Sequence, residues 1–210
     1  MKHRYAAGSI IILLTLGGLN ADTVRVGLLG GLNYQSYDSG QLNVQPGSGF
    51  GLHGGMNVEF FLSPGCLPAQ LGLELELLRQ NARYNWDTPF QGLYSALVLN
   101  NIVIPLMPKI RIGIIPKTDF EFGMGLSLIR NTSGYWRLSS SGDVPISTSD
   151  LQTDIGFQLK ADVGYKLAPM LLIVPSLRYQ INLTANDPDT PNQTEKEHAL
   201  FIALGLTLGF

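Results

Sequence analysis

From about residue 22 to the end of the chain, apolar side chains alternate with polar or small ones. Phe50, Leu52, Met56, Val58, Phe60 and Leu62 form one face of a ribbon whose other face is Gly51, His53, Gly55, Asn57 and Glu59. Leu71, Leu73, Leu75 and Leu77 alternate with Gly72, Glu74 and Glu76. Ile155, Phe157, Leu159, Ala161, Val163 and Tyr165 are set against Gly156, Gln158, Lys160, Asp162, Gly164 and Lys166. The last ribbon places Leu200, Ile202, Leu204, Leu206, Leu208 and Phe210 opposite Ala203, Gly205, Thr207 and Gly209. Successive side chains of a strand point to opposite faces, so a period of two predicts strands with one apolar face. No helical period runs over a comparable length.

This reading predicts eight strands, at 23–34, 49–62, 70–84, 93–107, 118–130, 153–166, 170–183 and 198–210. Most exceed the roughly 9–11 residues that a tilted strand needs to cross a bilayer. The connections at 35–48, 85–92, 131–152 and 184–197 are mostly longer and rich in Asp, Asn, Ser and Thr. Those at 63–69, 108–117 and 167–169 are shorter and hold Pro64, Pro68, Pro108, Pro116 and Pro169. Long loops at one end and short turns at the other mark an outer-membrane barrel.

Alternation alone leaves open which face is inside, because a soluble lipocalin-like carrier shows the same period with its apolar face inward. Three features favour the membrane. The polar face is sparse and rich in glycine, as a crowded lumen requires. Tyr34, Phe60, Phe61, Tyr84, Trp86, Tyr94, Tyr135, Trp136, Tyr165 and Tyr179 lie near strand ends, where interfacial girdles form. Leu206, Leu208 and Phe210 read as a signal for the outer-membrane assembly machinery. Open sheet edges are not tolerated in hydrocarbon, so the strands must close. The fold expected is all-β: an eight-stranded antiparallel up-and-down transmembrane barrel.

At eight strands the lumen is just wide enough to be filled by side chains. The polar faces nominate Arg25, His53, Glu59, Glu74, Glu76, Glu121, Lys160, Asp162 and Arg178 as a lumen network, with Asn57, Asp119 and Asp154 beside them. Both signs of charge are present, so the network is expected to pair internally and to plug the barrel, with Glu74 and Glu76 bonded to Lys160 or Arg178.

Composition supports a membrane chain. Apolar residues make up 45% and charged residues 14%, against about 25% charged in soluble domains. A net charge of -2 offers no basic stripe for nucleic acid. The single cysteine, Cys66, excludes an internal disulfide and a cysteine zinc site, and is read as a free thiol in a turn. Residues 1–21 are read as a signal peptide: Lys2, His3 and Arg4 give the positive start, Ile10 to Leu16 the apolar run, and Leu19-Asn20-Ala21 the cleavage site. The barrel domain is then 22–210.

Val24 to Tyr34 (VRVGLLGGLNY) is similar to the first strand of the PorT-type outer-membrane β-barrel family. Ile102 to Lys109 (IVIPLMPK) and Phe120 to Leu128 (FEFGMGLSL) resemble its fourth and fifth, Ser176 to Thr184 (SLRYQINLT) its seventh, and Ala203 to Phe210 (ALGLTLGF) its last. The matches occur in the family's order across nearly all of the mature chain. The sequence departs at Val103, where the family often has an acidic lumen residue, which leaves open whether Asn100 or Asn101 faces the lumen. The resemblance implies fold and location more than activity.

Catalytic signals are weak. Gly49-Phe50-Gly51-Leu52-His53-Gly54 matches G-x-G-x-x-G, but a strand follows where a helix is needed. Once the signal peptide is removed, His53 and His198 are the only histidines; they read as a lumen residue and a solvated rim residue. No metal, cofactor or catalytic constellation is expected. The expected partners are the outer-membrane bilayer, the assembly machinery and a surface partner held by the loops at Asn131 to Gln152 or Asp187 to Glu197. The barrel is expected to be a monomer. A narrow channel and a lipid A-modifying enzyme are the alternative functions.

Overall fold

The computed structural model describes residues 23–38, 47–63, 69–90, 94–138, 142–147, 151, 153–184 and 196–210. The expected signal peptide, Cys66 and most of the loop at Asp187 to Glu197 lie outside them. The strands are β1 Thr23–Asp38, β2 Gly47–Leu62, β3 Ala69–Phe90, β4 Tyr94–Ile115, β5 Thr118–Leu138, β6 Asp143–Pro145, β7 Thr153–Ala168, β8 Leu171–Asn182 and β9 Lys196–Gly209. Each long strand pairs antiparallel with the next in the chain. β1 closes the sheet against β9, with Arg25 opposite Gly209 and Tyr34 opposite Leu200. β6 is a three-residue ribbon on the far end of β5. The barrel proper therefore has eight strands.

The alternation sorts the two faces sharply. Leu28, Phe50 and Leu52 on the outside are 66%, 70% and 66% exposed, whereas Glu74 on the inside is 0% exposed. A lipocalin-like barrel has the reverse arrangement, so that alternative is overturned. Nothing but hydrocarbon suits such an outer surface.

The largest boundary changes fall on β3, β4 and β5. β3 runs to Phe90 and β5 to Leu138, so much of the connections placed at 85–92 and 131–152 is strand. The turn expected at 108–117 shrinks to Pro116-Lys117, because β4 continues to Ile115. Pro105 and Pro108 are tolerated inside β4 because each lacks a ladder partner on a different side. Pro105 is paired with Ser127 of β5, while the β3 register skips from Leu106 to Val103. Pro108 is paired with Leu73 of β3, while the β5 register skips from Leu106 to Lys109. A missing N–H thus costs one ladder bond on each side without ending the strand.

The aromatic expectation also needs correction. Phe61, Tyr84 and Trp86 are buried inside the barrel and do not belong to a girdle, and Trp136 stacks on Trp86 at 6.1 Å. Tyr34, Tyr165 and Tyr179 do face outward. Inside, neighbouring strands approach so closely that some positions admit no side chain. A Cβ on Gly55 would lie 2.0 Å from the Leu77 carbonyl oxygen, whereas one on the outward Gly30 would meet nothing nearer than 3.8 Å. Gly55→Ala is therefore expected to lower barrel stability by roughly 1–3 kcal/mol, and Gly30→Ala to leave it unchanged. Urea unfolding followed by heat-modifiable gel migration checks both; equal midpoints for the two variants would contradict the close approach.

Candidate functional site in the barrel lumen

Neighbouring strands bring like charges together. Glu59 of β2 is directly opposite Glu74 of β3. Glu121 of β5 is opposite Asp162 of β7, and Lys160 of β7 is opposite Arg178 of β8. Like charges directly opposite in a sheet repel, so each pair needs a counter-ion between its members. The lumen supplies them.

Lys109 of β4 is the hub. Its Nζ lies 2.6 Å from Glu59, 2.7 Å from Glu121, 2.8 Å from Asp162 and 3.3 Å from Glu74. Lys160 bonds Glu74 and Glu76 at 2.7 Å each, and Arg178 reaches Glu76 at 2.5 Å. Towards the end where both termini of the barrel lie, Arg25 bonds Asp119 and Glu121 at 2.6 Å each, and Arg111 bonds Glu121 at 3.0 Å. Asn57 donates to Glu74 at 2.8 Å. Six carboxylates thus face five cations, nearly all buried, so the layer is close to neutral without any added ion. Phe61 closes it from below: the Arg111 guanidinium lies 3.2 Å from the ring centroid, a cation–π contact.

Carboxylate oxygens of Glu59, Glu74 and Asp162 lie within 4.8 Å of one another, close enough to hold a metal ion. The Lys109 ammonium bonds all three, so it fills the place such an ion would take.

Above the charged layer the lumen turns apolar. Leu78, Val103 and Ile129 pack with Leu29. A second cluster of Ala82, Tyr84 and Trp86, with Tyr37, Leu97, Leu99 and Trp136 against it, fills the far end. Tyr84 also donates its hydroxyl to the Glu197 carboxylate. Between these layers Gln158 donates to Gln180 at 2.6 Å, and His53 meets Phe201 edge-on at 5.0 Å. Asp154 is buried near the same end and accepts from Thr184 at 3.3 Å. His198 lies on the outer side, bonded to the Tyr179 hydroxyl at 2.8 Å.

The structure therefore brings Arg25, Glu59, Glu74, Glu76, Glu121, Lys160, Asp162 and Arg178 into one bonded layer, with His53 just beyond it. It resolves the fourth strand: Asn101, Val103, Lys109 and Arg111 face inward, and Asn100 faces outward. Lys109 and Arg111 are the residues that sequence reasoning missed. The signal was present: Ile102, Ile104, Leu106, Pro108, Ile110 and Ile112 keep the period of two straight through both prolines.

A closed sheet, apolar outside and charged within, defines a transmembrane β-barrel. Residues 20–187 match the family model described as outer membrane protein beta-barrel domain, and the chain belongs to that family. Among solved structures, Neisserial surface protein A is similar in fold: 16% identity, TM-score 0.52, covering 88% of this chain and 97% of that one. The outer membrane protein OprG from Pseudomonas aeruginosa shares 12% identity at TM-score 0.49, covering 89% of this chain and 95% of that one. No curated protein sequence matches the chain. The protein is an outer-membrane β-barrel embedded in the lipid bilayer.

Removing one partner of a buried ion pair leaves the other uncompensated and costs about 3–5 kcal/mol. Lys109→Met is expected to destabilise the barrel by about that much, and the added change Glu59→Gln to recover part of the loss. Urea titration of the refolded protein in lipid vesicles measures both. A Lys109→Met variant as stable as the parent would mean the hub carries little of the fold.

Proposed function

We propose that the protein is a PorT-type, non-enzymatic barrel, closed to solute flow, that serves as a rigid monomeric scaffold for a partner at the cell surface. The observation that carries this reading is the filled lumen: Phe61, the Lys109 layer and two apolar clusters lie in series along the bore. An ion entering such a bore meets side chains packed across it and a charged layer already bonded to itself. The PorT-type assignment rests on the order of its strand motifs along the chain. Surface presentation is supported by β3, β4 and β5, whose 22, 22 and 21 residues are about twice what a bilayer crossing needs.

In this reading residues 1–21 direct export and are removed. Leu206, Leu208 and Phe210, all exposed on the outer surface, present the contact that the assembly machinery reads. Planar-bilayer recording tests the closed bore. The refolded protein is expected to give no unitary conductance steps, whereas Phe61→Ala combined with Lys109→Ala is expected to open a small, noisy conductance. Regular steps from the unaltered barrel would overturn the proposal in favour of a channel.

A further inference from the structure

On the outer face of β3, the side chains run Leu71, Leu73, Leu75 and Leu77, then change to Arg79, Asn81, Arg83 and Asn85. The same change occurs on β5, where Phe122, Met124, Leu126 and Leu128 give way to Arg130 and Ser133. This line lies away from the barrel's termini, on the side where β3, β4 and β5 project, and so marks the outer leaflet's headgroup level. Arg79 and Arg130 both align with Ile102 of β4, one from each side, which sets their backbones about 10 Å apart. Arg83 lies four residues further along β3, about 13 Å from Arg79.

Between the arginines runs a polar ladder: Asn81 donates to Asn100 at 3.0 Å, and Asn100 donates to Ser133 at 3.0 Å. The ladder ties the three strands together without using any charge. Among the described residues, Arg79, Arg83 and Arg130 have no carboxylate partner; Arg83 donates only to Asn85, at 2.9 Å. Among the described residues, Asp143 on this outer rim is already bonded to Arg137 at 3.1 Å. Beside the ladder is a surface concavity of about 330 Å³ whose lining includes Leu52, Gly54, Arg79, Asn81 and Asn100 along with His53 and Gln80. One wall is apolar and the other offers a guanidinium and two amides.

We propose that this arginine–asparagine face binds the phosphate groups of an outer-leaflet glycolipid, with the acyl chains lying along Leu77, Ile104 and Leu128. Charge complementarity selects the occupant. Uncompensated guanidinium forks suit phosphate oxygens, and their place directly above the apolar band requires a ligand that is anionic at one end and apolar at the other. A soluble anion would satisfy the arginines but leave the Leu52 wall and the band below uncovered by it. The inference rests on the barrel's place in the membrane and is independent of whether its lumen conducts.

The test uses the full folded barrel in neutral-detergent micelles, with native mass spectrometry and a fluorescent competition assay. The probes are diphosphoryl lipid A, a phosphate-free glycolipid of similar acyl content, inorganic phosphate and a soluble sulfated polysaccharide. Diphosphoryl lipid A is expected to bind at least tenfold more tightly than the phosphate-free glycolipid or inorganic phosphate. Arg79→Gln with Arg83→Gln and Arg130→Gln should remove that preference. Should the triple variant fold poorly by heat-modifiable migration, Asn81→Asp decides: it keeps the side chain's shape but sets a negative charge in the face, and should weaken lipid A binding severalfold. Undiminished lipid A binding in the variants overturns the proposal. So does a sulfated polysaccharide that binds as tightly as lipid A, which would make the face a docking surface for a soluble polyanion.

Discussion

Most of the ion pairs in this barrel can form only across the lumen. Arg25 of β1 reaches Asp119 and Glu121 of β5, Lys160 of β7 reaches Glu74 and Glu76 of β3, and Arg178 of β8 reaches Glu76. These strands are not neighbours in the sheet. Within the sheet two pairs of carboxylates meet face to face, Glu59 with Glu74 and Glu121 with Asp162, while Arg25 faces Glu59 and Arg111 faces Glu121. Lys109 can meet Glu74 and Glu121 on the neighbouring strands of an open sheet, and closure adds Glu59 and Asp162 from strands that are not its neighbours. Buried ion pairs are seldom a net gain over apolar packing. Their effect here is on closure: Arg25 and Arg178 reach their carboxylates, and Lys160 reaches Glu74 and Glu76, only when the sheet is closed.

The outer surface follows from the same division. Having placed most of its charges inward, the barrel offers lipid a largely apolar outer face, and every long strand is paired on both sides so that no open sheet edge is left in hydrocarbon. The apolar face ends where polar residues take over on the outer faces of β3 and β5. Beyond that line the long strands continue as a projecting wall whose inner side is packed by Tyr84, Trp86 and Trp136.

The strands, their facing and the closed barrel were legible because a period of two, sustained from β1 to β9, fits paired strands and no helix. What misled was local grammar overriding that period. Pro105 and Pro108 look like the end of a strand, yet the alternation from Ile102 to Ile112 passes through them, carrying Lys109 and Arg111 into the lumen. Phe61, Tyr84 and Trp86 look like girdle residues by position, but they share the facing of Glu59 and of Glu74 and Glu76. The pairing of Arg25 with residues 94 and 96 positions away was not legible at all. It depends on the stagger of the closed sheet, which no single strand encodes.

Lys109 holds a ring of buried carboxylates at the centre of the lumen. Solid-state NMR of the barrel in lipid vesicles, with nitrogen-labelled lysine and carbon-labelled carboxylates, reads that contact directly. Through-space transfer from the Lys109 ammonium to the carboxyl carbons of Glu59, Glu121 and Asp162 is expected, with slow exchange of its protons. An ammonium that exchanges freely with water and shows no such transfer would contradict that arrangement.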